Sequence, residues 1–397
     1  MIVGIVVLAL SLRAPIIAPT AVIGDIRVDT GLSAIGAGLL TGLPVFLFAV
    51  ATPLATRTIG RFGPEATVLL CLAGVLAGTV IRSTGPSAVV LAGTVLIGAA
   101  MTLGNIVVPV LIRRDVPWNR VSAATGVYSA TMNVGSMAVL LGTAPLAEIV
   151  GWRVAIAAWG VVAAAGLAYW LVWGRKLTRA GLARPRDTAG RPAADPADGP
   201  GAAARVAREA ARNRRIVALL ILAFCGQSSS YYATTTWLPL LLSETRGLGL
   251  AASGAAASLF QVAAIVGALG VPLLAARSRA WVPMAAVAAC WITLPIGLLV
   301  APEAYVLWSI IGGVAQGGGF TAIFSIIPRI AGSDAEAAGF SARIQGTGYL
   351  AATVAPPLAG WLNAVSGGWT APLLLVLAAT LTFTVGGLLA ARLAEKR

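Results

Sequence analysis

The chain of 397 residues is 58% hydrophobic and only 11% charged, and its mean hydropathy is +0.90. A soluble domain carries about 25% charged residues, so this composition excludes a water-soluble globular protein and indicates an all-α membrane protein surrounded by lipid. The formal net charge of +14 does not indicate a nucleic-acid partner, because the basic residues are spread over alternate loops rather than gathered on one surface.

Twelve apolar stretches follow one another along the chain, each long enough to cross a bilayer as a helix. Because they are continuously apolar and do not alternate, the strands of a membrane β-barrel are excluded. The predicted spans lie near 2–24, 32–55, 65–82, 87–112, 121–147, 153–174, 216–242, 251–275, 281–300, 303–328, 338–363 and 369–391.

The loops differ strongly in their content of arginine and lysine. Loops on the side of both termini carry 22 of these residues, whereas the opposite loops carry only Arg27, Arg82, Arg153 and Arg246. The positive-inside rule therefore predicts that both termini are cytoplasmic. We expect a multi-pass protein of the bacterial inner membrane, monomeric, with membrane lipids as its surroundings.

The sequence is internally repeated around its one long polar segment. We predict a first six-helix bundle over 1–174, a basic cytoplasmic linker over 175–215 and a second bundle over 216–397. The stretch PLATR from Pro53 resembles PLLAAR from Pro272, and Gly151-Trp152 matches Gly368-Trp369, a period near 215 residues. Two such pseudo-symmetric bundles are typical of transporters whose substrate site lies between the halves near the bilayer midplane.

Arg13 is the most informative single residue, since it lies about halfway along the first span with no carboxylate in the same stretch. A charge at this depth costs several kcal/mol and usually faces a cavity or a substrate. Its guanidinium offers a planar fork of donors to a small anion. The alternative is an arginine that extends to the interface, which is strained here but easy for Arg343, only one or two turns into the eleventh span.

Further polar and aromatic residues at mid-depth fall on spans one, four, seven and ten, and on the neighbouring five, eight and eleven. The tyrosines could also fill gaps in the core, Trp237 could belong to an interfacial belt, and the amides could join helices to one another. The candidate substrate-binding residues are Arg13, Asn105, Tyr128, Asn133, Gln227, Tyr231, Tyr232, Trp237, Gln261, Gln316, Gln345 and Tyr349.

Several kinds of chemistry are absent from the sequence. It contains no histidine and no carboxylate at mid-depth, and its three cysteines lack the spacing of metal ligands. We therefore expect no metal, no other cofactor and no enzymatic activity. A proton-coupled transporter usually keeps a carboxylate or histidine within the membrane, so coupling has to arise otherwise or not at all.

The chain resembles the major facilitator superfamily, and within it the cyanate/nitroimidazole permease family of bacteria. The resembling segments are SLRAPIIAP around Arg13, LGNIVVPVLIRRDVP from Leu103, TGVYSATM from Thr125, YYATTTWLP from Tyr231 and QGTGYLAATVAPPLAG from Gln345. The resemblance implies a twelve-span carrier in which a central site is exposed alternately to each side. It also implies that the substrates are small anions or small polar heterocycles.

We assign gating roles to charged residues near the side of the termini: Arg57, Arg61, Arg114, Asp115 and Arg343. In the loop after the second span, Thr56 stands where the superfamily usually has an aspartate, which puts the customary salt bridge of that loop in question. The predicted function is transport of a small, anionic solute past Arg13. The alternative is export of neutral or weakly charged aromatic compounds such as nitroimidazoles, with Tyr231, Tyr232 and Trp237 as stacking surfaces.

Overall fold

The computed structural model describes residues 2–116, 121–179, 202–279, 281–331 and 334–395. These residues form thirteen α-helices and one short 3₁₀ helix, Pro302–Ala304, and contain no strand. The α-helices are α1 Ile2–Ala21, α2 Ile23–Thr30, α3 Ala34–Val50, α4 Thr52–Arg82, α5 Ser87–Asp115, α6 Val121–Ala158, α7 Gly160–Arg179, α8 Ala202–Arg246, α9 Leu250–Arg277, α10 Trp281–Val300, α11 Tyr305–Ile330, α12 Asp334–Ser366 and α13 Thr370–Glu395.

The helices give the twelve predicted crossings once the break at Gly151 is taken into account. Within the described residues, nine segments are long and apolar enough to span a membrane, and one of them, Ala130–Val172, holds two crossings separated at Gly151. The shorter apolar helix α3 and the long helix α12 complete the set. Gly151 and Gly63 have φ values of 80° and 82°, a backbone conformation that favours glycine.

The predicted loop between the second and third spans was wrong. The chain stays helical through Arg57 and Arg61 as far as the break at Gly63, so these residues lie on the first turns of α4 and not in a loop. Helices also enter both ends of the predicted linker, since α7 continues to Arg179 and α8 begins at Ala202; the helical spacing of the arginines after Ala204 is consistent with this, and residues 180–201 lie outside the described part of the chain.

The internal repeat is visible as a repeated hydrogen bond. In the first half, the indole N–H of Trp152 donates to Asp29 (3.1 Å), which ties the start of the sixth crossing to α2. In the second half, the indole N–H of Trp369 donates to Glu244 (2.8 Å), which ties the start of α13 to the end of α8. The carboxylates are 215 residues apart and the tryptophans 217 (244 − 29 and 369 − 152), so the two bonds obey the predicted period.

The two halves meet closely on the side of the membrane opposite the termini. Here α3 lies against α12, and a Cβ atom at Gly38 or Gly42 would meet the α12 backbone at Pro357 or Thr353. On the other flank α6 meets α9, where the backbone N–H of Ala251 donates to Glu148 (3.1 Å). These contacts close the interface on that side, and they leave α1 and α8 facing one another in its centre.

Candidate substrate site

Arg13 reaches from α1 of the first half to α8 of the second. Its neighbours Leu12 and Ala14 are buried in the core, whereas the side chain of Arg13 is only partly buried and faces the interface. The guanidinium donates through Nη1 to the hydroxyl of Tyr231 (3.3 Å), and its carbon lies 6.0 Å from the centre of that ring. None of the ion pairs among the described residues includes Arg13, and its Nε is buried without a partner.

Four tyrosines surround this charge. Tyr128 on α6, Tyr231 and Tyr232 on α8, and Tyr349 on α12 all interact electrostatically with the guanidinium. The rings of Tyr231 and Tyr232 pack edge to face with their centres 4.9 Å apart. Because the hydroxyls are neutral, they orient the positive charge of Arg13 without neutralising it. The structure therefore brings together five of the predicted residues from three crossings besides the first.

Aromatic side chains fix two of these tyrosines in place. The Tyr231 ring stacks on Phe260 of α9 (6.3 Å), which in turn stacks on Trp291 of α10 (5.9 Å). The Tyr349 ring lies between Phe48 of α3 (5.9 Å) and Phe224 of α8 (5.4 Å). Edge-to-face and offset stacked pairs of this kind are favourable packing geometries, so each of the two tyrosines is held within a cluster of aromatic rings.

The predicted glutamines play two different parts. Gln227 on α8 donates its amide N–H to the backbone carbonyl of Gln316 on α11 (2.8 Å), and Gly319 leaves the space that this amide occupies. This pair joins two helices of the second half. Gln261, next to Phe260 on α9, is fully buried with both amide atoms unpartnered, which is costly in a membrane interior. Its role in binding a solute stays a prediction, since no contact among the described residues joins it to Arg13.

Three more predicted residues are partly exposed near the same level. Asn105 follows Gly104, which packs closely on Leu12 of α1. Asn133 is two residues before Gly135, where a Cβ would lie 4.0 Å from that of Arg13. Gln345 is one helical turn from Tyr349 towards the side of the termini. All three are compatible with the edge of a central cavity.

Trp237 is not brought to this centre. It lies six residues beyond Tyr231, about 9 Å along α8, and its buried indole N–H donates to the carbonyl of Pro356 (2.8 Å). Its ring also packs on Trp369, with the centres 5.9 Å apart. Trp237 therefore stabilises the closed end of the second half, and the geometry does not favour the stacking role that the sequence suggested.

The residues assigned to gating lie on the side of the termini. Arg57, Arg61 and Arg343 are exposed, and the Asp115 side chain lies outside the described part of the structure. Arg114 forms an ion pair with Glu65 (2.5 Å). Sequence reasoning missed Glu65, although an acidic residue directly after Gly63-Pro64 is typical of a helix N-terminus. Since both partners belong to the first half, this pair fixes α4 to α5 and does not bridge the halves.

Arg82 was counted among the loop residues, and this was wrong. The side chain is only 1% exposed, and its Nη1 donates to the carbonyl of Pro15 on α1 (2.5 Å). Its position at the end of an apolar stretch gave no sign of this, because the acceptor is a backbone atom 67 residues away.

Comparison with known proteins agrees with this architecture. Residues 2–341 match the family model described as Major Facilitator Superfamily. The chain is 31% identical to the uncharacterized transporter YycB of Bacillus subtilis (strain 168), over 98% of this chain and 92% of that protein. It is 30% identical to the 2-nitroimidazole transporter of Escherichia coli (strain K12), over 100% of this chain and 96% of that protein.

Solved structures share the fold at low sequence identity. A bacterial homolog of the human lysosomal transporter Spinster superposes with a TM-score of 0.70 at 16% identity, covering 99% of this chain and 95% of that one. A D-xylose-proton symporter gives a TM-score of 0.71 at 13% identity, covering 100% and 96%. The predicted membership of the major facilitator superfamily is therefore confirmed. One of the relatives is named a nitroimidazole transporter, as the resemblance implied. Cyanate as a substrate stays a prediction.

Proposed function

The chain belongs to the major facilitator superfamily, and we propose that it carries a small planar solute, in first place an anion, between its two halves with Arg13 as the ligand. Alternating exposure of this site to each face of the membrane would then move the solute. We further propose that the carrier acts as a monomer in the bacterial inner membrane, with both termini in the cytoplasm.

The observation that carries the proposal is the uncompensated charge of Arg13. The described residues supply only tyrosine hydroxyls to it, and its Nε has no partner. A desolvated charge without a counter-ion is unfavourable, and an anion bound to the guanidinium fork would remove that cost. The Arg13 guanidinium would thus supply both the binding energy and the selection for an anion.

The surroundings of Arg13 favour a small and flat solute. The tyrosine rings stand close to the guanidinium from both halves, and their hydroxyls can donate to an anion or accept from a protonated ring nitrogen. A small carboxylate presents two oxygens to the planar fork, and the linear cyanate ion presents one terminal atom to it.

Access to this site is proposed to run from the side of the termini. The opposite side is closed by α3 against α12 and by α6 against α9. On α12, Tyr349 and Gln345 are partly buried, and Arg343, nearer the side of the termini, is exposed. With the termini in the cytoplasm, as the loop charges predict, the described conformation faces inward.

One observation favours a second candidate, the transport of a nitroimidazole or a related small heterocycle. A relative that is 30% identical over the whole chain is named a 2-nitroimidazole transporter. The oxygens of a nitro group can accept from the same guanidinium fork, and the ring can pack on Tyr231 or Tyr349. Binding of such a heterocycle would depend more on packing against the tyrosine rings than on the charge of Arg13.

Competition in proteoliposomes separates the two candidates. Uptake of radiolabelled cyanate and of 2-nitroimidazole is measured separately, each against excess nitrate, formate and acetate, for wild type and Arg13→Gln. Arg246→Gln, an exposed arginine at the far end of α8, is the matched control. The anion proposal expects small anions to compete and R13Q to abolish uptake. If R13Q carries cyanate at the wild-type rate, the anion proposal is wrong.

A further inference from the structure

Two prolines interrupt the backbone of α1 beside Arg13. Pro19 has no N–H, so the carbonyl of Pro15, four residues earlier, lacks the donor that an α-helix would supply. Within a membrane an unpaired carbonyl costs several kcal/mol unless another group satisfies it. The break lies only two residues beyond Arg13, about 3 Å along the helix axis.

Arg82 supplies the missing donor from another helix. Its Nη1 donates to the Pro15 carbonyl at 2.5 Å, and its side chain is 1% exposed at the end of α4. A Cβ at Gly93 of α5 would overlap the backbone of Arg82, so the close packing of α4 and α5 fixes the arginine's origin. Its Nε and Nη2 remain buried without partners, so Arg82 makes this one contact at the cost of a desolvated charge.

We infer that Arg82 is a positioning residue for Arg13: it replaces the hydrogen bond that Pro19 removes and so fixes the turn of α1 that directs Arg13 at Tyr231. The inference rests on the proposed function for its transport readout. A charged donor forms a stronger hydrogen bond than a neutral one, and arginine is long enough to reach α1 from the end of α4. The side chain acts on the site through α1, since it does not face the interface between the halves.

A second substitution can compensate for the loss of Arg82. Arg82→Met removes the donor, while Pro19→Ala restores a backbone N–H that can pair with the Pro15 carbonyl within α1. We expect R82M to raise the KM for the transported probe, cyanate or 2-nitroimidazole, at least tenfold. The double variant P19A/R82M should stay within about twofold of P19A alone. If R82M does not accumulate in membranes, the double variant still tests the inference, because its helix is complete.

A second readout needs no solute. Tyr231→Phe removes the acceptor of the Arg13 hydrogen bond. In the wild-type background this substitution should lower the Tm of the purified protein. In the R82M background it should change the Tm little, because Arg13 no longer points at residue 231. If R82M lowers the Tm yet leaves both the KM and the effect of Y231F unchanged, Arg82 only stabilises the bundle and the inference is overturned. If wild type carries neither probe and no small carboxylate such as formate or acetate, the proposed function is wrong, and the Tm comparison still decides the role of Arg82.

Discussion

Thr41 and Thr236 share a hydrogen bond of 2.6 Å between their hydroxyls, which joins α3 of the first half to α8 of the second on the closed side. Each hydroxyl also lies near a carbonyl of its own helix, Gly38 for Thr41 (3.1 Å) and Tyr232 for Thr236 (2.6 Å). Since each threonine has one hydrogen, one donates across the interface while the other donates within its helix. This bond must break whenever the halves separate on that side.

Thr41→Val should therefore shift the carrier towards opening on the side opposite the termini. Side-chain hydrogen bonds in membranes contribute about 0.6 kcal/mol, so we expect roughly a threefold change in the opening equilibrium. The measurement is the rate at which an impermeant maleimide labels a cysteine introduced at Ala34, in a background without the native cysteines. Thr58→Val is the control, because the Thr58 hydroxyl contacts only the Leu54 carbonyl of its own helix. Equal labelling of T41V and T58V would mean that the interhelical bond has no influence on opening.

Gly38→Ala should prevent closure on the same side. A Cβ at Gly38 would overlap the backbone of Pro356 and Pro357, which is rigid and cannot give way as a flexible side chain would. We expect transport to fall at least tenfold and the labelling of the Ala34 position to become fast and insensitive to solute. Gly270→Ala is the matched control, since a Cβ there meets no atom within 4 Å. Normal transport by G38A would show that α3 and α12 do not need this close approach.

The sequence predicted the large features of this molecule because they depend on local, repeated signals. Hydropathy marks the spans, and the repeated Gly-Trp pair indicates the duplication that the bonds of Trp152 and Trp369 display. Arg13 and the tyrosines could be found in the same way, because any polar residue within an apolar stretch is conspicuous. Their convergence around one guanidinium confirms that they are neighbours, while their role in binding stays a prediction.

What sequence reasoning missed depends on contacts between distant parts of the chain. Arg82 looked like an ordinary residue at a span end, and only the packing of α4 against α1 shows its bond to Pro15. Glu65 gained its meaning from Arg114, 49 residues later. Trp237 was attractive as a stacking surface because it is aromatic and within a span, yet its indole is already bonded to Pro356. Spacing alone does not reveal which partner a long side chain selects.

Arg13→Lys should lose most of the transport activity although it keeps the positive charge. A lysine ammonium is a compact charge that cannot form the two parallel hydrogen bonds of a guanidinium. It is also more strongly hydrated than a guanidinium, so removing its water to bind a solute costs more free energy. We expect the KM for a transported anion to rise at least tenfold in R13K and uptake to be undetectable in Arg13→Ala. The measurement is initial uptake over a range of solute concentrations. Equal KM values for R13K and wild type would show that charge alone, and not the planar fork, selects the solute.

Trp369→Phe should destabilise the carrier more than Trp152→Phe, despite the symmetry of the two sites. Removing the Trp369 indole N–H leaves Glu244 without any hydrogen-bond partner among the described residues. Asp29, in contrast, keeps its ion pair with Arg153 (2.8 Å) when Trp152 is replaced. A lost hydrogen bond costs about 1 kcal/mol, and phenylalanine preserves most of the ring packing in both cases. We expect a clear fall in Tm for W369F and a smaller one for W152F. A larger fall for W152F than for W369F would contradict the view that Arg153 supports Asp29 independently.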